Sequence, residues 1–523
     1  MKKFYAIALL LSVFGLYGQL SLEHNYSSGS VTRKKFEYSG EKYYVFNRVS
    51  NTVEFYNADH SPWKQVTLPL PTQGNIMEVV VVEVSDSIIN QDEEIEIAYW
   101  YSVDEQTQFY SESKVITSEG DELFSAMGVI QVNIIPGLSP KIFVIEEMAS
   151  ESVYSLPGFT LEQTFPTRFL RRGKMEISGE KYFYFDDGAN LLRMFNVDFS
   201  VWKTINAPKP ANYLYDPGAT VSETLMHPDA QIEAIYLSGF YDVFTNTSMS
   251  EIKVVNESET LLELGNDFSF SIDQIEGLQP KLVLRSGTNQ DPVTGFYGLP
   301  GMQLEHEYQG AVYRRKFELS GEKYLKNVPG GLEFHNSDHS FWKSVSFPVV
   351  PDFEFDNTGH ISENLIQADS QMEFVFSYRK IENNLLYFTT KVAKEDGTIL
   401  NTFLDVQNMQ RSDIEGLDTK FIGVGFAPNF SNDFGSVYSI NALKTPEFNH
   451  ESAGFYPNPA SQFVHFQGSV YKVRLFDVSG RLVKAANGSL ESLDVSDCPN
   501  GVYVLQASDS ENRMSVSKLV ISR

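Results

Sequence analysis

The sequence predicts an all-β chain, and three observations predict it. Short runs of β-branched and aromatic residues, alternating with polar ones and bounded by Gly, Asn, Asp or Pro, fill the chain beyond its first segment, where the usual helical spacing is absent. One long pattern occurs three times in succession. The stretch "SLEHNY" at 21–26 repeats the last piece of that pattern, which the third copy lacks.

The first 18 residues read as an address. Lys2 and Lys3 precede an apolar run from Phe4 to Phe14, and Leu16-Tyr17-Gly18 forms a cleavage site, which describes a secretory signal peptide. No later stretch approaches the roughly 20 consecutive apolar residues of a membrane span. The expectation is an exported, soluble chain without a transmembrane segment.

The repeat is fixed by its markers. "SGEKYYVF", "SGEKYFYF" and "SGEKYLKN" begin at Ser39, Ser178 and Ser320, placing Gly40, Gly179 and Gly321 at one position. "VEFYNADHSPWK", "LRMFNVDFSVWK" and "LEFHNSDHSFWK" follow, bringing Asp59, Asp198 and Asp338 to one position and Trp63, Trp202 and Trp342 to another. "SDSIINQDEEIE", "SETLMHPDAQIE" and "SENLIQADSQME" come next. After them "GLSPKIFVI", "GLQPKLVLR" and "GLDTKFIGV" lead to "VYSLPGFTLEQTF", "FYGLPGMQLEHEY" and the shorter "VYSINALKTPEF".

Each copy divides into three groups of four strands, about 47 residues per group, which is the size and strand number of a β-propeller blade. Nine blades exceed the usual four to eight, so six larger ones are the alternative count. Either way the copies cover about 27–165, 166–308 and 309–443, and the strand at 21–26 completes the last. Borrowing that strand joins the ends of a ring by backbone hydrogen bonds and removes exposed edges, which would bring a solenoid nothing. Residues 19–443 are therefore expected to form a closed propeller.

After a polar, turn-rich linker at 444–453, residues 454–523 form a second domain. Its short alternating strands predict a small β-sandwich. Tyr456-Pro457-Asn458-Pro459, "LFDVSGRLV" with Gly480 in its turn, Asn500-Gly501-Val502-Tyr503 and the closing "SKLVIS" span it. With these motifs the tail resembles the type A C-terminal sorting domain of the type IX secretion system of Bacteroidota. The resemblance implies export through the periplasm and across the outer membrane, with the type IX machinery as partner. The passenger is then released or attached to the outer surface. The repeats also resemble those of uncharacterised passengers of that system, which names no activity. Asp86-Ser87-Ile88 resembles the short O-glycosylation acceptor motif of the same bacteria.

Composition narrows the partners. A formal net charge of −27 sets the chain against nucleic acid and anionic lipid. Cys498 is the only cysteine, so no disulfide forms within the chain, and neither a zinc site nor a thiol nucleophile is supported. The Asn-x-Asp-x-Ser-x-Trp-Lys marker could be read as a carboxylate with a neighbouring base at His60 and His339, but copy two has Phe199 there. Asn, Asp and Ser suit a turn, and the tryptophan suits packing between blades. The acidic loops at Asp92, Asp229 and Asp369 lack the glycine and ligand spacing of a calcium loop. No cofactor, metal or catalytic residue is assigned. The expected function is binding of a glycan or protein through loops on one face. A polysaccharide hydrolase with carboxylates in the central channel and a purely structural surface component are the alternatives.

Overall fold

The computed structural model describes residues 19–523 apart from 91, 106–107, 147–149, 168, 228–230, 243–246, 266–268, 289–290, 364–365, 367–370, 384, 427–432, 442–453, 478–480 and 509–513. The signal segment, the linker, Gly480 and the loop residues Asp229 and Asp369 thus lie outside the described residues. No helix occurs among those described, and none is long and apolar enough to cross a membrane. The chain divides into two compact units, 19–440 and a second comprising 441–523.

In the first unit, consecutive strands pair antiparallel into nine sheets, three per sequence copy. In chain order these are blade 1 (31–67), blade 2 (75–127), blade 3 (129–165), blade 4 (171–206), blade 5 (214–264), blade 6 (269–309), blade 7 (312–346), blade 8 (354–404) and blade 9 (406–441). The count is nine, not six larger blades.

The ring is shown by where the apolar side chains go. Each blade is a twisted sheet with two faces to cover, and nine apolar clusters lie between successive blades, one for each neighbouring pair. Phe36, Val53 and Phe55 of blade 1 meet Ile95, Ile97 and Tyr99 of blade 2. The last cluster joins Val437 of blade 9 to Tyr43 and Val45 of blade 1. The unit is a closed β-propeller.

Gln19–Tyr26 is the fourth strand of blade 9, hydrogen-bonded beside Asp433–Asn441. Side chains reinforce the seam. Asn401 of blade 8 exchanges two hydrogen bonds with the backbone of Leu20, 3.2 Å from its N–H and 3.1 Å to its carbonyl. Ser436 bonds Asn25, and the hydroxyls of Ser21 and Ser439 lie 2.8 Å apart. Leu20 and Tyr26 are buried. Gly435 also matters, because a Cβ there would stand 2.5 Å from the backbone nitrogen of Val31 in blade 1.

The second unit is a five-stranded antiparallel assembly in which the long strand Phe463–Asp477 pairs with Gly454–Tyr456, Leu482–Asp494 and Gly501–Ser508. Bulges near its middle let both halves contribute to one core of Val464, Val473, Leu475, Leu505 and Leu519.

Removing residues 19–26 should leave Asp433–Asn441 with an open edge and vacate Leu20 and Tyr26, at roughly 2 kcal/mol each for burial alone. Thermal melting should show a lowered midpoint, with proteolysis starting in blades 9 and 1. An unchanged midpoint would show that the ring does not depend on this strand.

Candidate functional site

Blades 1, 4 and 7 begin each copy and carry the "SGEK" and "WK" markers, which build the joints of the ring. The glycine ends the first hairpin in the left-handed region, with φ of 74°, 74° and 72° at Gly40, Gly179 and Gly321. A carboxylate from the next blade holds this turn. Asp86 accepts from the N–H groups of Glu37, Tyr38 and Ser39 at 2.9–3.0 Å, and Glu223 and Glu363 do the same for the turns at Ser178 and Ser320. Asp86 of the Asp86-Ser87-Ile88 stretch is buried and caps this turn.

The glutamate of "SGEK" takes part in a buried triad. Arg33 donates through Nε to Glu41 at 2.7 Å and the Tyr43 hydroxyl donates to the same oxygen at 3.2 Å, while Arg33 also reaches the Ser412 carbonyl of the preceding blade. Arg172 with Glu180 and Tyr182, and Arg314 with Glu322 and Tyr324, repeat the set. The lysine of "SGEK" and the lysine of "WK" then sandwich the half-buried tryptophan. Their ammonium groups lie 4.8 and 5.7 Å from the ring of Trp63, 4.6 and 5.1 Å from Trp202, and 4.8 and 4.2 Å from Trp342.

Asp59, Asp198 and Asp338 are exposed turn formers. Each accepts the N–H and hydroxyl of the serine two residues on, at 3.0 and 2.6 Å, and these bonds hold the carboxyl below its usual range. The next residue takes a positive φ, 65° at His60, 62° at Phe199 and 66° at His339. Its side chain lies against the last strand of the preceding blade. His60 Nδ1 is 2.7 Å from the Tyr26 hydroxyl and its ring stacks on His24 at 5.0 Å; His339 repeats this with Tyr308 at 2.9 Å and His306 at 4.5 Å. Copy two replaces all three partners, so that Phe199 packs on Phe165 and Tyr182 and the position of the stacking histidine is Gln163. The departure at Phe199 is therefore an apolar version of the same joint. Burial, with like charge from the neighbouring histidine, lowers both pKa values, that of His339 to about 4.

Two carboxyls are pushed up strongly by burial, Glu96 to about 8 and Glu151 to about 7, but both serve inside the scaffold. Glu96 begins the second strand of blade 2, and Glu151 accepts the Leu170 N–H.

Threefold symmetry fails most visibly between blades 4 and 5. The first strand of blade 2 runs unbroken over Asn75–Ser85 and that of blade 8 over Glu354–Ser362. In blade 5 the same strand is split into Leu214–Tyr215 and Thr220–Ser222 by Asp216-Pro217-Gly218-Ala219. Proline cannot donate to the ladder, and Asp216 turns the chain by accepting from Gly218 at 2.7 Å. The opening is lined by Phe169, Arg171, Phe185, Asp187 and Tyr215. Phe169 is 51% exposed. Its counterparts are Ser30 and Ala311, those of Arg171 are Thr32 and Tyr313, and those of Asp187 are Arg48 and Pro329. Arg171 donates to the Pro217 carbonyl, and Asp187 accepts from Tyr215 N–H at 3.2 Å. Aligning the copies and subtracting what they share would have found these residues. The loop after Asn327, two residues shorter than in the other copies, is a hairpin turn with Gly330 at φ 75°.

In the tail, the Asn458 side chain pairs with the last strand like a short strand of its own, donating to Lys518 O at 2.9 Å and accepting from Val520 N at 2.8 Å. Pro457 and Pro459 flank it, and Tyr456 lies 5.5 Å from His465. Asn500 accepts the N–H of Arg523, whose guanidinium donates to the carbonyls of Val495 and Cys498, and Gly501 starts the strand carrying buried Tyr503, which bonds Pro499 O. Residues 454–522 match the family described as the secretion system C-terminal sorting domain. The tail is a sorting domain. It marks the protein for export by the type IX system, to the cell surface or beyond it.

No curated protein matches the chain. Among solved structures, similarity extends to PorZ, described as an essential surface component of the type IX secretion system of Porphyromonas gingivalis, at 8% identity and TM-score 0.20, covering 97% of this chain and 100% of that one. It extends also to the Dos1 propeller, at 9% and 0.37 over 80% and 95%, and to BamB from Moraxella catarrhalis, at 6% and 0.35 over 80% and 100%.

The histidine joints give an acid-sensitive seam. With folded pKa values below the usual 6.5, the unfolded chain binds more protons between about pH 6.5 and 4, so stability is full above that window and falls as the pH drops through it. His339→Phe alone should cost about 1–3 kcal/mol by stranding the Tyr308 hydroxyl. Adding Tyr308→Phe and His306→Gln, the residues of copy two, should restore the neutral melting midpoint and flatten its fall from pH 6.5 to 4. Equal acid sensitivity in the triple variant would show that protonation of this joint does not weaken the ring.

Proposed function

We propose that this protein passes through the periplasm, leaves the cell by the type IX route, and presents its propeller outside or on the outer surface as a binding module for a glycan. The observation that carries the reading is the recess between blades 4 and 5. The repeated joint residues hold neighbouring blades together, whereas Phe169, Arg171 and Asp187 occur in one copy and line an opening made by a split strand. An exposed aromatic ring beside a guanidinium and two carboxylates suits a sugar, whose C–H face stacks on the ring while its hydroxyls meet charged hydrogen-bonding groups. A scaffold with ring-wide packing holds such groups without further ordering cost.

The test is binding of the full chain to immobilised polysaccharides, with reducing-sugar release assayed in parallel. Saturable binding without product is expected. Phe169→Ala should weaken it at least about tenfold while leaving the melting midpoint unchanged, because the ring is half exposed. Binding that ignores Phe169 would move the site elsewhere, and product release would make the protein a hydrolase.

A further inference from the structure

A second recess, independent of the one in copy two, opens between blades 6 and 7. It is open to solvent, has a volume of ≈ 200 Å³, and is lined by Asp273, Arg285, Phe296, Tyr313 and Arg314 together with other strand residues of blades 6 and 7. Arg314 is the joint arginine of copy three. Its side chain is 1% exposed and Nε is committed to Glu322 at 2.6 Å, but Nη1 has no hydrogen-bond partner among the described residues and makes only a long ion pair with Asp273 at 3.8 Å. In copy two the equivalent arginine is satisfied, since Arg172 gives Nη1 to Asn133 at 3.3 Å and Nη2 to the Ser139 carbonyl at 2.7 Å, while in copy one Arg33 gives Nη1 to the Ser412 carbonyl at 3.0 Å and keeps Nη2 without a partner among the described residues.

The same recess holds a second guanidinium that the other copies lack. Arg285 stands where they have Ile145 and Val424, and Tyr313 where they have Thr32 and Arg171. The Arg285 guanidinium lies over the Tyr313 ring at 5.0 Å and reaches the Val312 carbonyl at 3.4 Å, while its buried Nε has no hydrogen-bond partner among the described residues. Buried N–H groups are rarely left without acceptors, and two guanidinium groups lacking them on one cavity call for an acceptor from outside.

We propose that this recess binds an oxyanion, a carboxylate or sulfate group, between Arg285 and Arg314, with Tyr313 holding Arg285 in place. The planar fork of arginine matches such groups, and the pairing supplies charge-assisted hydrogen bonds to donors otherwise unsatisfied. The anion comes either free from solution or as a substituent of an acidic sugar. The inference stands or falls apart from the glycan reading of blades 4 and 5, since no residue is shared.

The experiment is calorimetric titration of the full chain with sodium sulfate and with sodium glucuronate, in a buffer free of other oxyanions, against sodium chloride at matched ionic strength. Saturable binding of at least one probe is expected below about 10 mM. Arg285→Ile, which installs the residue of copy one, should weaken it at least about tenfold with the melting midpoint kept. Tyr313→Thr should weaken it in the same direction, which serves if the isoleucine variant fails to fold. Tighter glucuronate than sulfate would assign the site to a sugar-borne group, and the reverse to a free inorganic anion; both support it. Absence of saturable binding by either probe, or affinity unchanged in both variants, would overturn it.

Discussion

Everything in the first unit depends on one backbone pairing, that of Gln19–Tyr26 with Asp433–Asn441. Each blade has two faces, and a row of nine would leave one face of the first and one of the last uncovered. Joining blade 9 to blade 1 covers both, so that Val437, Tyr43 and Val45 are as buried as their counterparts in any internal joint. Pairing the first and last strands of this unit also makes the joint resistant to opening, because blade 9 cannot leave blade 1 without breaking its own sheet. Gly435 shows how close the fit is, since any side chain there would enter the backbone of Val31.

The joints themselves place charge where charge is costly. Arg33, Arg172 and Arg314 have side chains 1%, 0% and 1% exposed, in contact with glutamates that are 17% exposed. Desolvating such a pair can cancel its attraction unless the remaining donors find acceptors. Copy two meets that condition, through Asn133 and the Ser139 carbonyl. Copy three replaces the asparagine by Asp273 at a longer distance and leaves a donor free at a cavity. Arg33 of copy one also keeps Nη2 without a hydrogen-bond partner among the described residues, so the cavity and the added Arg285, rather than saturation alone, set the joint at Arg314 apart.

How much of this was legible in the sequence follows from what repetition reveals. The repeat, the strand groups and the borrowed strand were readable because three copies align without ambiguity. Asp59 and Trp63 read as turn and packing residues because their chemistry is local or bulky. Asp86, by contrast, was met as part of a short motif, since nothing in the sequence says that it reaches back 47 positions to cap the turn at Ser39. Arg33, Arg172 and Arg314 were hidden in the basic runs "TRKKF", "RRGKM" and "RRKF", where one buried guanidinium cannot be told from its exposed neighbours by composition. Phe199 drew attention as a departure although it is a conservative repacking with Phe165. Phe169 and Arg285 did not, although neither has a like residue in the other copies.

Strand geometry explains why a binding surface can change without loss of the ring. Successive side chains on a strand point to opposite sides, so a buried joint residue and its immediate neighbour answer to different constraints. On the first strand of blades 1, 4 and 7 the joint position is arginine in every copy and buried, while the position just before it is Thr32, Arg171 and Tyr313, exposed each time. Arg171 lines the recess against blade 5 and Tyr313 the recess against blade 6. A substitution there leaves the buried triad untouched and alters what solvent meets, at no cost to the packing next to it. Both recesses have grown from this one variable position, with a second change across the joint: the split strand at Asp216–Ala219 in one case, and Arg285 in the other. Scaffold and surface are thus separated at the scale of a single residue, which lets three copies of one pattern carry different chemistry.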